Sequence, residues 1–187
     1  MAFIHDHLEQ TFDYLEKDFN SHKLVISIND GSGPLNFPQF GGHGFAMSLV
    51  SCATLDYLNF IIYGGTLKGG TGTRFKQLIN DKTYFDFGQN VTYEEFYLLI
   101  RNGLMHQLYP KNMSMGHDLK STSILRRSGN DVILDPLYLY QKVMEGFRKF
   151  LDHLHTLSLL ELKSYEERIE EIINTDLKQF GDYIQSV

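Results

Sequence analysis

The 187-residue sequence holds one cysteine, Cys52, and no tryptophan. A single thiol cannot close an internal disulfide, and a reducing cytosol is the compartment that suits it. Zinc and other metal ligation is also unsupported: there is no His-x-x-x-His and no His-Glu-x-x-His. His5-Asp6-His7 and His153-Leu154-His155 hold their imidazoles two apart, off any one helical face, and read as surface or packing residues. Basic charge is scarce. Lys and Arg number 17 against 23 Asp and Glu, for a net charge of −6. That argues against a broad basic stripe tracking a nucleic-acid backbone, but leaves room for a local phosphate site in a cleft. No uninterrupted run of 18 apolar residues exists. The best stretch, 45–63, is broken by Asp56 and Asn59 and is expected to be a buried core helix rather than a membrane span. The first six residues show no basic region leading into an apolar run, so no signal peptide, no membrane partner and a cytoplasmic location are expected.

Several catalytic fingerprints are missing too. The glycines at 64–72 are not followed by Lys-Ser or Lys-Thr opening a helix, so they are not a phosphate-binding P-loop. Asp30-Gly31-Ser32-Gly33 lacks the third glycine of a dinucleotide site, and no Gly-x-Ser-x-Gly elbow is present. No cofactor is expected.

What is present is 42% apolar residues, enough for one sizeable core, so a single domain spanning 1–187 is expected. Phe3, Ile4, Leu8, Phe12, Leu15 and Phe19 recur at helical spacing over 2–20. Lys23–Ile28 reads as a short strand, and a short helix is expected at 74–81. Thr92-Tyr93-Glu94-Glu95 is a capping box opening a helix to about Tyr109, where Pro110 forbids continuation. Residues 121–127 and 131–134 flank Ser128-Gly129-Asn130, a hairpin signal. Asp135-Pro136 starts a helix to about His155, and another runs from Ser158 to Tyr183 with one charged, solvated face that includes Arg168. The expected fold is mainly α: an up-and-down bundle of five or six helices with a small β-hairpin insert at about 121–135.

One constellation stands out, Arg101-Asn102-Gly103-Leu104-Met105-His106. It ends a well-capped helix. Asn102 and His106 are four apart and share a face. Gly103 sits mid-helix, where it costs roughly 1 kcal/mol relative to Ala, so a close helix contact or space for a ligand should offset it. Lys111 adds a cation just beyond the helix. A histidine near neutral pKa can move a proton to or from an RNA hydroxyl, and an arginine fork can hold phosphate oxygens as charge develops.

Arg-Asn-x-x-x-His near a helix end resembles the motif of the HEPN superfamily of small helical bundles. The surrounding stretch, from Gly41 through the apolar helix to Tyr93, Phe96, Tyr97 and Tyr109-Pro110-Lys111, is similar as well, over roughly 41–155. The resemblance implies a homodimer that joins two Arg/His sets across one cleft. It implies a metal-independent endoribonuclease leaving 2′,3′-cyclic phosphate ends on RNA rather than DNA, in a toxin–antitoxin, antiphage or stress role with an antitoxin-like partner. By motif position Arg101 and His106 become the catalytic pair with Asn102 beside them, and Tyr109, Lys111 and Asp56 become substrate-binding candidates. Asp56 has competing readings, as an exposed edge or as the partner of a buried Arg, and an Asp56–Arg101 pair is one of them. Other members of the superfamily have lost activity and bind nucleotides or proteins, which is the alternative function. A second spacing match runs from Arg148 to His153 or His155, but Lys149 and Phe150 replace the polar residue after Arg, so the first match is preferred. A hydrolase built on His43 or His117 lacks a nucleophile–base arrangement.

Overall fold

The computed structural model describes residues 2–28, 43–64, 70–88, 91–107, 113–116, 122–129 and 131–186, the side chains of 2–3, 22–28, 43, 107, 128 and 175–186 excepted. The fold is mainly α. Six helices are described: α1 (Ala2–Ile28), α2 (His43–Tyr63), α3 (Thr71–Asn80), α4, α5 (Pro136–Leu154) and α6 (Leu159–Ser186). Helix α4 is π-helical over Glu94–Arg101 and α-helical over Asn102–Gln107. A three-stranded sheet is inserted between α4 and α5: β1 (Ser114–Met115), β2 (Leu125–Ser128) and β3 (Asp131–Leu134).

The apolar composition of α2 has a simple outcome: this helix packs against every other one, most extensively α5. A helix apolar on all sides must be surrounded. Its polar residues are handled internally. Ser48, Ser51 and Thr54 return their hydroxyls to the carbonyls one turn back, at 2.7–2.9 Å. Buried Asn59, with its amide oriented to match donors to acceptors, donates to the Arg74 carbonyl (3.0 Å) and accepts from the Phe75 N–H (3.3 Å), which fixes α3 against α2. Gly44–Tyr63 is long and apolar enough to cross a membrane by length and composition, but 56% of it is buried among the other elements.

On α1 the expected stripe is the buried one: Ile4, Leu8 and Phe12 enter the core, with Leu15 and Phe19 packed against it. The strand expected at Lys23–Ile28 is instead the last part of α1, because helical propagation from a long amphipathic segment outweighs a short β-branched run. The capping box forms as expected, with Glu95 N–H on Thr92 Oγ1 and Thr92 N–H on Glu95 Oε2, both at 3.2 Å. Asp135 caps α5 by accepting from Tyr138 N–H at 3.0 Å, with Pro136 at the first helical position. In the sheet, β3 is central. It pairs antiparallel with β2 (Leu125 opposite Leu134, Ser128 opposite Asp131) and parallel with β1, a strand the sequence did not announce. Gly129 sits in the hairpin turn at φ +61°.

Arg168 departs from the expected solvated face of α6. It turns inward, donating to the carbonyls of Ile61 and Ile62 (2.8 Å to the latter), and so supplies a cation and donors to the carbonyl end of α2. Ser158 and Glu161 form a second capping pair, with Ser158 N–H on Glu161 Oε2 at 2.9 Å.

Candidate functional site

The segment 101–107 is where α4 turns from π- to α-helical geometry, with the Asn102 N–H bonded to the Tyr97 carbonyl five residues back. Such π segments are uncommon and recur at functional sites. Phe96, Ile100 and Leu104 bury one side of the helix, which aims Arg101 at α2.

There the guanidinium meets Asp56. Its Nε–H lies 3.2 and 3.1 Å from the two carboxylate oxygens, and Nη2 donates to Oδ2 at 2.6 Å, a bidentate charge-assisted contact. Nη1 donates to Asn102 Oδ1 at 3.0 Å. The Tyr97 ring lies 5.7 Å from the guanidinium carbon. The Arg101 and Asp56 side chains are 14% and 22% exposed, so the pair is largely, not wholly, withdrawn from water. Burial alone would lower the Arg101 pKa; the hydrogen bonds and charge of Asp56 overcome it and hold the guanidinium above its ordinary value. A guanidinium carries five N–H groups. The bonds to Asp56 and Asn102 use Nε and one N–H on each terminal nitrogen, leaving one N–H on each terminal nitrogen without a partner among the described residues.

Cys52 lies one turn before Asp56 and is fully buried. Its thiol is pushed up to about 12, first by burial and then by the Asp56 charge, against a lowering influence from Arg101. It is a packing residue, not a nucleophile.

His106 is exposed at the end of α4, with no hydrogen bond, ion pair or ring contact to any described residue. It shares a face with Asn102. From Arg101 it is five residues on, about 140° around an α-helical path. The structure therefore brings Arg101, Asn102 and Asp56 together and leaves His106 beside them without contact. Gly103 is buried at this end of α4, which packs against α2. Tyr109 and Lys111 fall outside the described residues, as does His117. Of the competing readings of Asp56, the partner of a part-buried Arg is the one realised.

The second Arg/His match has a different setting. Arg148 sits over the Phe12 ring (4.6 Å) and bonds Glu16 at 3.3 Å. His153 tilts against Tyr84. His155 stacks on His5 (ring centroids 4.6 Å apart) and faces Glu9 at 3.4 Å. Arg148 and His155 do line one groove of about 230 Å³ between α1 and α5, but Glu9, Asp13 and Asp152 line it too. Three carboxylates around two weak or shared cations repel a phosphate chain. Among the described residues, no three His, Cys, Asp or Glu side chains gather in a metal-binding cluster.

Two residues named in the sequence analysis were given no place beside the ion pair there. Tyr97, four before Arg101, and Cys52, four before Asp56, carried a signal only in that spacing, which aligns each with the ion pair on its own helix. No family model matches the chain, and no curated protein and no solved structure is detectably similar to it.

Proposed function

We propose that this chain is a metal-independent endoribonuclease of the HEPN type, acting as a cytoplasmic homodimer. The observation that carries the reading is the half-used guanidinium of Arg101. Asp56 and Asn102 fix its orientation, two N–H groups have no partner among the described residues and can meet a phosphate, and His106, also without a partner among them, stands at the same helix end. In the reaction, an imidazole takes the proton of a ribose 2′-hydroxyl, whose oxygen attacks the adjacent phosphorus. The P–O5′ bond breaks, a protonated imidazole supplies the proton to the leaving oxygen, and a 2′,3′-cyclic phosphate remains. The unused N–H groups of Arg101 stabilise the charge that builds on the non-bridging oxygens. Because Arg101 and His106 diverge around one helix, a second copy of the chain that sets its own His106 opposite Arg101 completes the geometry.

The test is degradation of total RNA by purified protein in EDTA. His106→Ala should lose roughly 10²–10⁴-fold in rate, and products should carry cyclic phosphate ends. Equal rates for wild type and His106→Ala, or no cleavage by a protein whose expression nonetheless arrests growth, end the nuclease reading. Growth arrest relieved by a co-expressed neighbour would place the chain in a toxin role with an antitoxin-like partner.

A second reading rests on the same ion pair seen from the other side. Three of the five Arg101 N–H groups are spent inside the protein and the chain is net acidic, which suits a HEPN-like module that binds a nucleotide or a protein without turning RNA over. Calorimetric titration with nucleotides, showing saturable heat but no cleavage, would favour it.

A further inference from the structure

Along α4, Tyr93, Tyr97 and Arg101 follow one another at intervals of four and form a single ladder. The Tyr93 and Tyr97 rings stack with centroids 5.3 Å apart and planes 10° from parallel. Tyr97 in turn carries the Arg101 guanidinium, 5.7 Å from its centroid. Phe75 braces Tyr97 from the core side at 5.3 Å. Gly72, at the start of α3, lets the two rings lie close: a Cβ there would come within 3.1 Å of Tyr93 Oη and 3.3 Å of the Tyr97 ring. Both tyrosines remain part-exposed, and neither hydroxyl has a hydrogen-bond partner among the described residues. The outer face of Tyr93 meets no other ring and no cation among them. A pair this well braced, part-exposed and uncovered by any described ring or cation at one end, and finishing at the other on a cation with two donors unpartnered among the described residues, is more than core packing requires.

We infer that Tyr93, backed by Tyr97, forms a stacking platform for an unpaired nucleobase of single-stranded RNA, further along the strand from the phosphate that Arg101 holds at the other end of the ladder. The inference rests on the ribonuclease reading and adds to it the residues that would grip the strand by a base. Every base has a π-face, so the platform is tolerant of sequence, and stacking on an aromatic ring is the usual way an unpaired base is gripped. Charge agrees. The exposed side of α1 carries Asp6, Glu9, Asp13, Glu16 and Asp18 and turns a polyanion away. Beside the ladder, Glu95 is neutralised by Arg127 of β2, which leaves Glu94, next to Tyr93, as an acid that acts on that ring.

The experiment uses the full chain carrying His106→Ala, in EDTA, with a fluorescein-labelled oligouridylate and fluorescence anisotropy as readout. In that background, Tyr93→Leu should weaken binding about tenfold and Tyr93→Phe less than about twofold, since phenylalanine keeps the π-face. Binding of a blunt RNA duplex should be the same for all three. Thermal unfolding of each variant confirms that it is folded. Folded Tyr93→Leu protein that binds the oligouridylate as well as its parent overturns the platform, as does equal weakening for duplex. If Tyr93→Leu is unfolded, Tyr97→Leu in its place must show the same tenfold loss against its own phenylalanine control. The two readings fail separately. His106-dependent cleavage by otherwise wild-type protein with an intact response to Tyr93→Leu loss of aromaticity supports both, whereas His106-dependent cleavage with no such response removes the platform alone.

Discussion

Replacing Asp56 with alanine should unfold the protein at a measurably lower temperature and free the Arg101 side chain. The magnitude follows from the geometry. Asp56 supplies both carboxylate oxygens to the Nε and Nη2 edge of a guanidinium only 14% exposed. Removing one partner of a fully buried pair costs about 3–5 kcal/mol, because the remaining charge is stranded. Here the residual exposure lets freed N–H groups turn to water, so a loss of about 2–3 kcal/mol is expected. In a chain of this length each kcal/mol moves Tm by about 2–4 °C, which predicts a fall of about 4–12 °C. Arg101→Met added to Asp56→Ala should restore much of the loss, since a packed apolar pair replaces a stranded charge. Calorimetric or urea unfolding of the two single variants and the double variant measures the coupling directly. A single variant within about 0.5 kcal/mol of wild type, or strictly additive effects, would refute the claim that this pair holds α4 to α2.

Three further outcomes follow from individual contacts. Gly146→Ala on α5 would place a Cβ 2.1 Å from the ring of Phe85, itself 1% exposed; overpacking of about 1–3 kcal/mol should exceed the helix-propensity gain of about 1 kcal/mol, so urea unfolding should show a net loss, and any net stabilisation counts against this packing. Burial alone would raise the Glu95 carboxyl, but hydrogen bonds from Thr92 and Arg127 and the Arg127 charge hold it below its ordinary value of 4.5. The folded carboxyl therefore binds its proton more weakly than the unfolded one, so its stabilising contribution is present above about pH 4.5 and disappears as the pH falls through the lower folded value. Wild type and Glu95→Gln should accordingly differ in stability at pH 7 and converge in acid, and an equal gap at pH 3 and pH 7 would contradict this. Cys52, buried with its thiol pushed up to about 12, should resist a disulfide reagent at pH 8 until denaturant is added; stoichiometric labelling of the native protein would show the α2 core to be open.

The sequence announces its helices where the local signal and the packing signal agree. The stripe of Ile4, Leu8 and Phe12, the Thr92/Glu95 box and the Asp135-Pro136 start each combine periodicity with cap chemistry, and each forms as expected. Ser158-x-x-Glu161 carried the same signal as Thr92-x-x-Glu95 and marks the true start of α6. Where the local signal stood alone it misled: Lys23–Ile28 has β-branched residues but continues a helix begun twenty residues earlier. Long-range partners were less legible. Nothing local in α6 says that Arg168 will reach the carbonyl end of α2, because a charged residue on a charged face looks the same whether it meets water or a helix terminus. The β1 strand is two residues long, shorter than any periodic pattern can reveal. The Asp56–Arg101 pair was open to reasoning, since an acid inside an apolar helix demands a cation, but only the fold decides which of several arginines arrives.

Asp56 and Arg101 explain each other as structure, and that alone would account for both residues. His106 has no such debt. It is exposed and touches no described side chain, so its replacement should leave stability within about 0.5 kcal/mol of wild type. The two halves of the motif are thus separable by experiment. A loss of RNA cleavage on changing Arg101 mixes a weakened α2–α4 joint with a missing phosphate ligand, whereas a loss on changing His106 in a protein of unaltered Tm can only be chemical. The weight of the functional reading therefore rests on the imidazole, even though the guanidinium has the more elaborate surroundings. The arginine's ion pair with Asp56 is what a scaffold needs, and its two unused N–H groups are what a phosphate needs. His106, whose one structural role among the described residues is that of a basic group in the last turn of a helix, is what distinguishes the second purpose from the first.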